Sequence, residues 1–164
     1  MDATGIRPLP AKVDAITAIP RPSTKVELQR FLGCINFFHR FLPGIATVLA
    51  PLHALCSSVT TQKSALLWTK TQDAAFIDAK LSLCNAVQLR HPDPSDAITL
   101  TTDASLVAVG AVLAGSDGAP ISFFSKKLTG AEIKYSAFDR ELLAVFLCQT
   151  FPPHAGGAPI RRVD

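Results

Sequence analysis

Two carboxylates lie where they could do chemistry. Asp103 closes the alternating run Ile98-Thr-Leu-Thr-Thr-Asp103, directly before Ala104-Ser105, so its side chain can emerge at the edge of a sheet. Glu141 falls inside a helical run whose neighbours one turn away, Phe138 and Val145, are apolar. A carboxylate beside a packed face is costly unless charge or hydrogen bonds offset it. Mg²⁺ is one such partner, since it accepts one or two carboxylates from facing elements. The other reading is plainer: Asp103 is a surface turn residue, and Glu141 pairs with Lys134 or Lys127. Zinc has a weaker claim. The cysteines, Cys34, Cys56, Cys84 and Cys148, include no C-x-x-C pair, and His53-Ala-Leu-Cys56 is a half-site without a second half. Buried, reduced thiols on helices are the expectation for them.

The elements that must position these carboxylates can be read from periodicity and punctuation. Prolines 8, 10, 20 and 22 bracket one short helical phrase, Lys12–Ala18. Thr24-Lys-Val-Glu27 is a capping box in which the hydroxyl and the carboxylate each satisfy a backbone N–H at a helix start. Leu28, Phe31, Leu32, Ile35, Phe38 and Leu42 follow at helical spacing until Pro43-Gly44 ends the run. A shorter helix spans roughly Ile45–Cys56, and the polar stretch Ser57–Ala65 is a loop. Thr69-x-x-Gln72 opens a further helix with Phe76, Ala79 and Leu83 on one face. His91-Pro-Asp-Pro-Ser-Asp96 breaks both helix and strand. Beyond it the period drops to two. Ile98–Asp103, Val107–Ala114 and Pro120–Phe124 read as strands, the last two joined by Gly115-Ser-Asp-Gly118. Thr129-Gly-Ala-Glu132 predicts the start of one long apolar helix reaching Cys148, which Pro152-Pro153 stops. The order is α+β.

Length and composition bound the possibilities. The chain has 164 residues, 48% hydrophobic and 18% charged, enough for one ordinary domain or two small ones and unlike a disordered segment. No apolar run approaches the roughly 18 residues of a membrane span, and the N-terminus lacks the apolar stretch of a secretory signal. A cytosolic or nuclear, non-membrane protein is therefore expected. Charge is uneven: residues 1–56 hold six Lys/Arg against three Asp/Glu, whereas residues 57–96 hold four against four and residues 97–164 six against six. Attraction to nucleic acid would come mainly from the first third.

Several motifs together carry a resemblance. Gly5-Ile-Arg-Pro-Leu-Pro-Ala-Lys-Val-Asp-Ala-Ile16, Leu28-Gln-Arg-Phe-Leu-Gly33, Asn36-Phe-Phe-His-Arg-Phe-Leu-Pro43, Ala50-Pro-Leu-His53 and Trp68-Thr69 resemble the thumb and following connection of gypsy-type retrotransposon pol polyproteins. Thr102-Asp-Ala-Ser105, Gly110-Ala-Val-Leu113, Phe123-Phe-Ser-Lys-Lys-Leu128 and Phe138-Asp-Arg-Glu-Leu-Leu-Ala144 resemble the start of their ribonuclease H fold. This resemblance implies Mg²⁺-dependent hydrolysis of the RNA strand of an RNA–DNA hybrid, with two ions about 4 Å apart. It makes Asp103 and Glu141 the first two of the family's four acidic metal ligands. Lys126, Lys127 and Arg140 become candidates for phosphate contact. In the thumb, Gln29, Arg30, Asn36, His39 and Arg40 would share the helix that approaches primer-template, with Arg30, His39 and Arg40 as the nucleic-acid contacts.

The resemblance also marks departures. The chain has no Tyr-x-Asp-Asp turn, so DNA synthesis is not expected of it. After Phe151 the family continues toward a strand ending Thr-Asp-His, which bears the third carboxylate. Here residues 152–164 differ. One C inserted after the Phe codon of family-like codons for Phe-Arg-His-Met-Leu-Glu-Gly-Arg-Pro-Phe-Val-Val-Trp-Thr-Asp yields residues 151–164 followed by a stop. The expected organisation is a thumb-like helical segment (1–56), a connection helix and linker (57–96), the first half of an RNase H-like domain (97–150) and a frameshifted tail (151–164). A three-stranded antiparallel sheet plus one long helix is expected in that half-domain, its first strand left as an open edge. With two carboxylates of four, weak metal binding and no cleavage are expected; the alternative is a non-catalytic module that binds nucleic acid or a protein.

Overall fold

Two of the three capping boxes start the helices they announce. In the computed structural model, which describes residues 5–58, 65–93, 95, 97–149 and 160–162, Thr24 accepts from the Glu27 N–H while Glu27 accepts from the N–H groups of Ser23 and Thr24. This begins α2 (Lys25–Phe37), which follows α1 (Pro10–Thr17). Next come α3 (Ile45–Ser58) and α4 (Lys70–Cys84), the latter opened by the Gln72 side chain accepting from the Thr69 N–H at 2.9 Å. The apolar spacing then does its work. Leu28, Phe31 and Ile35 of α2, Leu49 and Leu52 of α3, and Phe76, Ala79 and Leu83 of α4 are all buried in one core. Burying each large side chain contributes about 1.5–3 kcal/mol.

Three antiparallel strands follow: β1 (Ile98–Ala104), β2 (Ala108–Ala114) and β3 (Pro120–Lys127). The pleat sends alternate residues to two faces. Phe123 and Val112 join the core of the helical half. Val109 and Ala104 on the other face pack with Leu128 and with Ala144, Leu143 and Leu147 of the last helix, α5 (Ala137–Gln149). Helices on one side and α5 on the other sandwich the sheet. Among the described residues no helix is long and apolar enough to cross a membrane.

Three expectations need correction. The run predicted to continue to Leu42 stops at Phe37; His39–Phe41 form a separate 3₁₀ turn that buries Phe38, Phe41 and Leu42. His39 and Arg40 are therefore not on the thumb-like helix. The helix predicted from Ala131 also begins later. Thr129 and Glu132 start only a 3₁₀ turn (Glu132–Lys134), Tyr135 is extended, and Ser136 opens α5 as a new cap, its hydroxyl accepting from the Asp139 N–H at 3.1 Å. Finally, β1 is not an open edge along its whole length. A fourth strand, β4 (Ile160–Arg162), pairs with it in parallel at Ile98–Leu100, giving the order β3-β2-β1-β4. The rest of the stretch read as a frameshifted tail lies outside the described residues.

All four cysteines are free and each sits on a different helix, but only Cys148 is buried. Burial pushes its thiol up from 9.0 to about 11. A folded pKa above the unfolded one means a contribution to stability that is intact below pH 9 and is lost as pH rises through about 11. Thiol alkylation at pH 8 should label Cys84 at once and Cys148 only on unfolding. The wild-type chain should lose more stability between pH 8 and pH 11 than Cys148→Ala; equal losses would refute this.

Candidate metal and nucleic-acid site

Asp103 comes from the end of β1 and Glu141 from the second turn of α5, and both side chains are exposed. The two elements pack on each other beside these residues, Ala104 of β1 and Ala144 of α5 meeting in one cluster with Val109 of β2. Asp103 lies opposite Gly110 on β2, which has no side chain to crowd the carboxylate's flank. Immediately beyond, Ser105 folds the chain back. Its hydroxyl accepts from the N–H groups of Val107 and Ala108 at 3.2 and 3.0 Å, and its own N–H donates to the Ala108 carbonyl at 2.8 Å. One further bond reaches this turn from α5: Arg140 Nη1 donates to the Ser105 carbonyl at 2.7 Å.

The plainer reading still fits Asp103, an exposed residue beside a turn, but Glu141 lacks the partner that reading gave it. Among the described residues neither carboxylate forms an ion pair, Lys134 and Lys127 included, and Lys126 pairs with Glu132 at 3.3 Å. Thr129's N–H and Lys126 together hold Glu132 below the usual carboxylate range. Mg²⁺ suits what remains, two exposed hard-oxygen donors, because it binds through one or two carboxylates and keeps several waters. The described residues contain no group of three or more His, Cys, Asp or Glu around them. His53 and Cys56 form no such group either. Burial and the charge of Lys127 instead hold His53 below the usual imidazole range.

The cations expected to meet phosphate fall into two sets. Arg30 on α2 and Lys127 at the end of β3 are exposed. The others are engaged inside the molecule. Arg40 lies over the Phe41 ring at 5.5 Å, Lys126 holds Glu132, and Arg140 holds Ser105. His39 Nε2 sits 2.8 Å from the carbonyl of Ser125 and 3.1 Å from its N–H. Periodicity missed one feature of α2: Gly33, with open space around it, and Phe37, 79% exposed, share the outer surface with Gln29, Arg30 and Asn36. An exposed phenylalanine beside a glycine was visible in the sequence as a break in the apolar stripe.

A mixed sheet flanked by helices, with a carboxylate at the end of its first strand and a second on the packed helix, defines an α+β protein of the RNase H-like class. The chain belongs to the family described as the RNase H-like domain found in reverse transcriptase, which matches residues 68–160. The resemblance to gypsy-type pol polyproteins is borne out. Transposon Tf2-3 and Tf2-4 polyproteins of Schizosaccharomyces pombe are 35% identical over 145 residues, 86% of this chain. The chain spans only 11% of the length of these relatives. Among solved structures, the foamy viral protease-reverse transcriptase in complex with RNA/DNA hybrid matches 97% of this chain and 22% of its own, with TM-score 0.85 and 25% identity. The foamy viral protease-reverse transcriptase dRH in complex with double-stranded DNA matches 96% of this chain and 28% of its own, with TM-score 0.84 and 25% identity.

Proposed function

We propose that this chain is a reverse-transcriptase/RNase H segment in which the helical half grips an RNA–DNA hybrid and Asp103 and Glu141 supply two ligands of a Mg²⁺ site for cleaving its RNA strand. The observation that carries this reading is the pair itself: two exposed carboxylates, without an ion pair among the described residues, on a strand end and a helix that pack together. A bound ion would polarise the scissile phosphate and acidify a water. Two side chains cannot hold two ions about 4 Å apart, so cleavage needs carboxylates beyond this pair. The 164 residues alone bind hybrid without cutting it. Foamy viral reverse transcriptase, a structural neighbour, is seen with both RNA/DNA hybrid and double-stranded DNA, which supports a nucleic-acid partner for this chain.

The test is a binding and cleavage assay on the purified chain. Hybrid affinity should be micromolar and fall as salt rises, because phosphate neutralisation releases counterions. Arg30→Ala and Lys127→Ala should each weaken binding and lower the salt slope by about 0.9. No RNA fragments should appear in Mg²⁺ or Mn²⁺. Cleavage that vanishes in Asp103→Asn would overturn the inactive reading, and absence of salt-sensitive binding would overturn the gripping one.

A further inference from the structure

Arg140 is adjacent in sequence to Glu141, and its guanidinium spends its best bond on protein rather than facing solvent. Nη1 donates at 2.7 Å to the carbonyl of Ser105, 35 residues away and two residues beyond Asp103. The side chain is half-buried, and its Nε is enclosed without a partner. The acceptor is itself fixed. Ser105 closes the β1–β2 turn with four hydrogen bonds to Val107 and Ala108: two accepted by its hydroxyl, one donated by it and one donated by its N–H. The bond therefore ties the first turns of α5 to a rigid turn at the end of β1, and each end of the tie is within two residues of a candidate ligand.

We infer that Arg140 is a positioning residue: it fixes the helix bearing Glu141 against the strand end bearing Asp103, so that the two carboxylates can share one divalent cation. This rests on the metal-site reading above and gives Arg140 a role other than phosphate contact. Outer partners that orient ligands are worth 10–100-fold in metal affinity. Electrostatics acts in the opposite direction. Removing a positive charge beside two carboxylates would by itself strengthen cation binding, so any weakening reports geometry.

The test is Mn²⁺ binding to the 164-residue chain, followed by electron paramagnetic resonance, in wild type, Asp103→Asn, Arg140→Gln and Arg140→Lys. Arg140→Gln should weaken Mn²⁺ roughly tenfold, while hybrid affinity measured in EDTA stays unchanged. Arg140→Lys keeps the apolar stem and one donor, folds even if Gln does not, and should fall between the two. Unchanged Mn²⁺ affinity in both variants would overturn the positioning role and leave the site intact. So would a drop in hybrid affinity with a salt slope smaller by about one, the mark of a phosphate contact. Mn²⁺ binding insensitive to Asp103→Asn would overturn the site, and the positioning role with it.

Discussion

Phe31→Ala will cost about 3–5 kcal/mol of stability, the largest effect expected of any single truncation described here. Phe31 is 1% exposed and sits at the centre of the helical core. Its ring lies 4.6 Å from that of Phe76, which in turn meets the Trp68 ring edge-on at 5.8 Å. Truncation removes the end ring of this row and leaves a cavity between α2 and α4 that they cannot close. Total stabilities of single domains are about 5–15 kcal/mol, so the variant should melt far below the wild type or lose its cooperative transition. The strand Pro120–Lys127 lends Phe123 to the same core, so loss of the helical half should destabilise the sheet too. Thermal denaturation followed by far-ultraviolet circular dichroism measures this. A loss under about 1 kcal/mol would show that the core repacks around the gap.

His39→Ala comes second, at about 2–3 kcal/mol, because it strips partners from polar groups that water reaches poorly. Ser125 is buried, and its N–H and carbonyl both face His39 Nε2. Its hydroxyl accepts from the Ala46 N–H at the start of α3, at 3.0 Å. β3 lies at the end of the sheet order, so among the described residues these backbone groups have no further strand to pair with. His39 Nε2 satisfies one of them, donating to the carbonyl or accepting from the N–H according to its tautomer, and shields the other. The Arg90 N–H donates to the Pro120 carbonyl at 2.8 Å. The variant should therefore be less stable and more prone to edge-to-edge association. Ser125→Ala keeps those backbone groups and removes only the hydroxyl, 3.3 Å from Nε2, so a double-mutant cycle should give a coupling near the low end of about 0.5–3 kcal/mol. Additive losses would show that the backbone groups alone make the joint.

What could be read in the sequence was local. The boxes at Thr24–Glu27 and Thr69–Gln72 join groups three residues apart, and the apolar faces of α2 and α4 follow from spacing alone. The α5 start was misread for the same reason. Thr129 and Ser136 each offer a box, and only the extended backbone at Tyr135 decides which one begins the helix. The His39–Ser125 joint spans 86 residues and the Arg140–Ser105 tie spans 35. No periodicity encodes contacts at such separations. Asp103 and Glu141 were legible as candidates because their types conflict with their neighbours. That their supporting elements pack together became visible only in the fold.

The parallel pairing of β4 with β1 bears on the order in which the molecule assembles. Ile98 and Ile160 face each other across that ladder, whereas the β1–β2 and β2–β3 ladders join neighbours through short turns. Closing a long loop costs entropy before any bond repays it, so such ladders form late. The helices and the three-stranded meander should thus acquire protection from hydrogen exchange first. The half of β1 that β4 covers is completed last, and during synthesis it stays open until residue 162 has left the ribosome.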